Sequence, residues 1–160
     1  MTSSTVADPS DLPDDLPSFE HVLAAAERLK THAVLTPLLE SSALNKRLGF
    51  RLLVKAEPLR RTGSFKFRGA FNRLVQLDAA ARRRGVAAFS SGNHAQGVAA
   101  AAEILGIPAT IVMRADARAI KLANTRGFGA MVVTYDRWTE DREAITARLA
   151  AERDATREAL

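Results

Sequence analysis

VAAFSSGNHAQGVAAAAEILGIPATIVM, residues 86–113, contains three elements in a row. VAAFS is short, apolar and unbroken, which suits a strand buried on both faces. SGNHAQG is polar and glycine-rich and reads as a sharp turn into the helix VAAAAEIL, which Gly106 and Pro108 stop. ATIVM, residues 109–113, is a second strand of the buried kind. A strand, a turn, a helix and a strand at this spacing argue for a parallel sheet covered by helices.

The same alternation continues on the C-terminal side. RAIKLANTR reads as a helix closed near Gly127 or Gly129, MVVTY as a strand, and TEDREAITARLAAER as a charged helix that starts at Thr139 and runs toward the C-terminus. On the N-terminal side, Ser64 is a good helix cap. Phe67, Ala70, Phe71, Leu74 and Leu77 then follow at helical spacing. FRLLVKAE, residues 50–57, is a candidate strand closed by Pro58, and LLESSALNKRLG, residues 38–49, is a candidate helix stopped by Gly49. FEHVLAAAERLK, from Phe19, is a helix with Phe19, Val22, Leu23, Ala26 and Leu29 on one side. The expected class is α/β, a parallel sheet with flanking helices.

The 160 residues suffice for one ordinary domain, and 47% apolar content can fill its core. A net charge of +5 raises the question of nucleic acid. The arginines are scattered, however, and no aromatic residues interleave with them as stacking platforms. Arg82-Arg83-Arg84 precede Gly85, where cations suit a helix C-terminus, and Arg60-Arg61 read as a solvated turn. No nucleic-acid partner is expected. Cysteine is absent, and His21, His32 and His94 form no local metal-ligand pair, so no metal site is expected. The opening MTSSTVADPSDLPDDLPS is polar, acidic and proline-punctuated, so residues 1–17 read as a disordered tail rather than a secretory signal. No run is long and apolar enough to span a bilayer, and a soluble cytoplasmic protein is expected.

Chemistry belongs beyond the carboxyl ends of the strands, against helix N-termini. Two segments lie at such junctions, Ser64 to Arg68 and Ser90 to Gly97. Lys66 falls in an opening helical turn, where positive potential and burial between Phe65 and Phe67 both disfavour its cation and favour the nucleophilic amine. The other reading of Lys66 is an ammonium that reaches water over the two rings. In the second segment Gly92 permits a tight turn. Ser90, Ser91, Asn93 and the backbone N–H groups then form a cradle for a carboxylate, or Ser91 or Asn93 simply caps an alanine-rich helix. His94 alone reads as a polar first-turn residue.

Together, SFKFRGA and SSGNHAQG at this separation resemble the serine/threonine dehydratase and serine racemase family of pyridoxal-phosphate enzymes. The likeness runs from TPLLESSALN through VKAEPLRRTGSFKFRGA, FSSGNHAQGVAAAAEILGIPATIVM and IKLANTRGFGA to YDRWTEDREA. Relatives that make cysteine carry a different lysine motif, and usually Thr-Gly where this chain reads His-Ala after Asn93. The resemblance implies a tryptophan-synthase-β-like fold with pyridoxal 5'-phosphate as cofactor. Lys66 would hold the cofactor as a Schiff base and act as base on the substrate Cα proton. Phe65 would pack beside the ring, and Asn93 would bond its phenolic oxygen. Ser90, Ser91, Gly92, Asn93 and His94 would bind the substrate carboxylate, with Ser91 as the second acid/base of racemases. The implied reaction is β-elimination from threonine or serine, giving a 2-oxo acid and ammonia.

The family chain is about twice as long, and its glycine-rich phosphate loop and divalent-metal residues belong to the half without a counterpart here. Arg114 and Arg118 stand where the family usually has proline, and Asp154 where a helix-ending glycine is expected. On this reading residues 18–76 are the N-terminal part of the large cofactor domain and 77–160 the small α/β domain. The chain is then expected to be an N-terminal fragment, a truncated product or one piece of a split enzyme, weakly active or inactive alone; the alternative is a non-enzymatic remnant or half-enzyme that associates with a complementary chain or with itself.

Overall fold

Ser18 opens the first helix, α1 (Phe19–Leu29), by donating its backbone N–H to His21 Nδ1 at 3.0 Å. The computed structural model describes residues 16–152 and 156–158, so most of the expected N-terminal tail and Asp154 lie outside the described residues. Past Thr36-Pro37 the chain enters β1 (Leu38–Glu40), then α2 (Ser42–Leu48), then β2 (Leu53–Lys55), which pairs antiparallel with β1. The single helix expected over residues 38–49 is therefore a strand followed by a shorter helix. Ser41 marks the change: its Oγ accepts the Leu44 N–H at 3.3 Å, so the helix cannot begin earlier. Glu40 is held in the hairpin by Arg51, whose Nε and Nη2 donate to its two carboxylate oxygens at 2.8 Å each.

Two 3₁₀ turns, Glu57–Leu59 and Arg61–Gly63, lead into α3 (Lys66–Leu74). The expected solvated turn at Arg60-Arg61 holds for Arg61, which is exposed, and is corrected for Arg60. The Arg60 side chain is only 7% exposed, paired with Glu57 at 2.6 Å, and donates to the Val34 carbonyl at 2.6 Å. Arg61 stacks on the Phe67 ring, 5.3 Å from its centroid. Next comes α4 (Ala79–Arg84), capped by Asp78, whose Oδ1 accepts the Ala81 N–H at 2.7 Å. Arg82 donates back to the carbonyls of Val75 and Leu77, so it serves the end of α3 as well as the last turn of its own helix.

The alternating region then runs β3 (Val86–Phe89), α5 (Asn93–Leu105), β4 (Ala109–Arg114), α6 (Ala119–Gly127), β5 (Met131–Tyr135), α7 (Arg142–Glu152) and β6 (Thr156–Glu158). Its sheet has the order β5-β4-β3-β6 with every pairing parallel, as expected of the class. Helix α7 starts later than Thr139 because Asp141 is its cap, Oδ1 accepting the N–H of Glu143 at 2.7 Å and of Ala144 at 3.3 Å. Nor does it run to the C-terminus. The buried strand β3 has a second edge whose backbone groups need partners, and β6 supplies them.

The core lies between α3, α5 and the sheet. Phe67, Phe71 and Leu74 of α3 pack on Val98, Ala99 and Ala102 of α5, with Val86, Ile111 and Met113 of the strands beneath. Small alanines on α5 let the helix settle close to its neighbours, burying its whole middle. By contrast, α1 buries no residue, and the three residues of β1 and of β2 are all exposed.

Candidate active site

The strand order places the carboxyl ends of β3 and β4 beside the N-termini of the helices that follow them. Ser90 extends the β3 ladder by one residue, donating its N–H to the Val112 carbonyl at 3.0 Å. Ser91 then ties the turn to β4, its Oγ accepting the Arg114 N–H at 2.7 Å. Ser90 Oγ accepts the Gly92 N–H at 3.4 Å, and α5 begins directly at Asn93. The helix thus starts earlier than VAAAAEIL suggests, and HAQG is helical rather than turn.

Gly97 is inside that helix for a reason of distance. A Cβ on it would lie 3.0 Å from the Lys66 carbonyl carbon and 3.1 Å from the Phe67 nitrogen. These are backbone atoms and the contacts would be tight, so glycine lets the first turn of α3 lie close against α5 without a shift of either helix. The approach to α3 is equally constrained. Thr62 and Gly63 adopt φ of 65° and 68°, turning the chain sharply. For the β-branched Thr62 that left-handed conformation is strained. Ser64 is buried and its Oγ accepts the Lys66 N–H at 3.4 Å, so it helps open the helix, although Phe65 occupies the cap position itself.

Lys66 is half-buried, with Nζ 5.3 Å from the centroid of the Phe65 ring. Phe67 is buried in the core while Phe65 is 53% exposed, so one ring rather than two flanks the amine. His94, one turn before Gly97 on α5, is half-buried and feels the charge of Lys66. Burial first, and then that charge, hold its pKa below the ordinary histidine value. Its Nε2 is buried without a hydrogen-bond partner among the described residues. Asn93 is exposed, and its Oδ1 accepts from Lys121 Nζ of α6 at 2.8 Å. Three residues on, Gln96 is 2% exposed and its Oε1 accepts from Asn124 Nδ2 at 3.0 Å.

Thus the packing of α3 on α5 brings the charge of Lys66 to bear on His94, and Ser90 to Asn93 form the turn that opens α5. No local signal marks Lys121, Asn124 or Gln96 as members of this group. The first two follow a strand and a loop, and Gln96 reads as part of the turn. Among the described residues no group of three or more His, Cys, Asp or Glu side chains converges as a metal site. No helix among them is long and apolar enough to cross a membrane.

The arrangement fits one side of pyridoxal phosphate. An amine for its aldehyde stands beside an aromatic ring. The Asn93 amide, its oxygen already engaged, keeps its Nδ2 protons for an acceptor such as a phenolic oxygen. The N-terminus of the 13-residue α5 favours an anion. No glycine lies between Gly129 and Leu160, so no glycine-rich phosphate loop follows within these residues.

Comparison with known proteins agrees with that fit. The family described as pyridoxal-phosphate dependent enzyme matches residues 29–158. An L-threo-3-hydroxyaspartate ammonia-lyase of Pseudomonas sp is 55% identical over 88% of this chain and 44% of its own length. A serine racemase of Schizosaccharomyces pombe is 48% identical over 84% of this chain and 42% of its own. Among solved structures, maize serine racemase superposes with a TM-score of 0.82 at 35% identity, over 85% of this chain and 41% of that one. The threonine deaminase of T.th. does so with 0.78 at 43% identity, over 88% and 44%. The chain therefore spans less than half the length of these relatives. With a family pattern covering most of its residues and a shared α/β fold, the chain belongs to the pyridoxal-phosphate dependent enzymes.

Proposed function

We propose that this chain carries the lysine side of a pyridoxal-phosphate site that eliminates the hydroxyl of a small hydroxy amino acid, releasing a 2-oxo acid and ammonia. The observation that carries this reading is Lys66 at the first turn of α3, held against α5 by the missing Cβ of Gly97. When bound, the cofactor supplies the electron sink that makes the substrate Cα–H acidic. The protein supplies position and charge. Lys66 Nζ anchors the cofactor and takes the Cα proton. The Phe65 ring flanks it, and Asn93 donates through Nδ2. The N–H groups from Ser91 to His94, with the Ser90 side chain beside them, hold the substrate carboxylate at the positive end of α5. Ser91 Oγ, which accepts the Arg114 N–H, stands at the same turn and would be the second acid/base where a substrate is racemised.

The relatives named for hydroxyaspartate, threonine and serine support a hydroxy amino acid as substrate. Residues 18–76 are then the start of a cofactor domain and 77–160 a smaller α/β domain. The test is direct. The chain is incubated with pyridoxal phosphate, reduced with borohydride and mapped by peptide mass. The adduct is expected on Lys66 and lost in Lys66→Ala; labelling spread over other lysines, or none, sinks the reading.

A second reading is favoured by the exposed apolar residues of α1 and the β1–β2 hairpin. In it the chain works only in association with a polypeptide that carries the remainder of the fold. Ammonia release from L-threo-3-hydroxyaspartate, threonine or serine that appears only after such a polypeptide is added supports this reading. Full activity of the chain alone overturns it.

A further inference from the structure

Helix α6 reaches back to the start of α5 through two polar rungs. Lys121 donates to Asn93 Oδ1 at 2.8 Å, and Asn124 donates to Gln96 Oε1 at 3.0 Å. The partners are three residues apart on each helix and follow in the same order. That is the pattern expected of two helices that each return from the carboxyl end of neighbouring parallel strands and so run the same way. The second rung is anchored at the buried Gln96, so the register of α6 on α5 is fixed and Lys121 arrives at Asn93 by construction.

The consequence for Asn93 is chemical. A primary amide offers an acceptor oxygen and two donor protons, and a free one can present either end. An ammonium has only donors, so it binds the oxygen and leaves the Nδ2 protons facing away from Lys121. Asn93 and Gly97 are four residues apart and share a face of α5, and Gly97 lies against Lys66. The orientation set by Lys121 therefore leaves Asn93 with a donor, not an acceptor, to offer to a group bound beside it.

From this geometry we infer that Lys121 is a positioning residue. It locks the amide of Asn93 in the donor orientation and so acts on the cofactor through Asn93. The inference rests on the proposed cofactor site at Lys66.

The experiment is an absorbance titration of the chain with pyridoxal phosphate, with borohydride trapping at Lys66 as the second readout and circular dichroism to confirm folding. Lys121→Met keeps the bulk but removes donors and charge. It is expected to weaken uptake about fivefold and to shift the absorption spectrum of the bound cofactor, within the usual range for coupled neighbours. Lys121→Arg, which keeps both properties, restores uptake to within about twofold of the unsubstituted chain. In an Asn93→Ala background the Lys121→Met change has little further effect, because the group it orients is gone. If Lys121→Met binds and absorbs like the unsubstituted chain, or weakens uptake equally without Asn93, the inference is overturned while the lysine site stands. If the unsubstituted chain takes up no cofactor at Lys66, both fall.

Discussion

His94 is the residue whose surroundings make the clearest statement about pH. Burial and the neighbouring charge of Lys66 both oppose its protonation in the folded chain. The unfolded chain takes up that proton near the ordinary value of 6.5, the folded chain only at lower pH. Between those two points unfolding absorbs a proton, so this contribution to stability is whole above about pH 6.5 and declines as the pH falls below it. The carboxyls of Glu20, Glu40 and Asp78, held down by hydrogen bonds, come into play in a more acid range, below their ordinary values of 4.5 and 3.8. Urea midpoints measured from about pH 7.5 to 5 should fall in the unsubstituted chain and fall less in His94→Gln. Parallel curves would show that His94 is not the group responsible. At this scale the sequence was informative where chemistry and position coincide, as for a lysine and an asparagine each in the first turn of a helix. It was silent where the partner is distant: nothing at Lys121 indicates that it meets a side chain 28 positions earlier.

Helix starts are decided by single polar side chains, and here the expected boundaries gave way. Leu38, Leu39 and Leu44 have spacing that a helix accommodates, but Ser41 caps from within that pattern and leaves Leu38–Glu40 to pair as a strand. Removing the cap in Ser41→Ala should destabilise the hairpin region by about 1 kcal/mol. That would be read as a lower urea midpoint and faster amide exchange over α2. An unchanged exchange rate there would mean that the two strands, not the cap, set the boundary. Within the four-stranded sheet β3 and β4 were legible because they are buried on both faces and so are nearly continuously apolar. β6 has the sequence Thr-Arg-Glu, with no apolar residue at all. It is a strand because β3 has an edge to be paired, and no local pattern records that need. Gly97 misled for a related reason. Glycine in a polar stretch suggests a turn, whereas this one marks a close helix–helix approach set by a residue 31 positions away, Lys66.

Over the whole molecule burial is uneven in a way that bears on function. From α3 to α7 the helices enclose a core in which Phe71, Leu74, Ile111 and Met113 have no exposure. Before α3, Phe19, Leu35, Leu38, Phe50 and Leu59 are each more than half exposed. A groove of about 530 Å³ opens between α1 and α3, lined by Val22, Ala25, Leu29 and Leu35. Contiguous apolar surface of this kind marks a face that another chain segment covers, and the relatives carry more than half their length outside the matched region. With few buried contacts of its own, the region before α3 should open at low free-energy cost while the core after it opens only with global unfolding. Hydrogen exchange followed by mass spectrometry should therefore show rapid exchange through α1, β1 and β2 and slow exchange through β3, α5 and β4. Adding a polypeptide that carries the C-terminal half of a relative such as the Pseudomonas ammonia-lyase should slow the first group selectively. Lys66 sits on the boundary between the two regions, so its capacity to trap pyridoxal phosphate should rise in the same titration. If exchange in α1 and the hairpin is already as slow as in β3, those elements are secured without a partner. The exposed face would then have no part in completing the site.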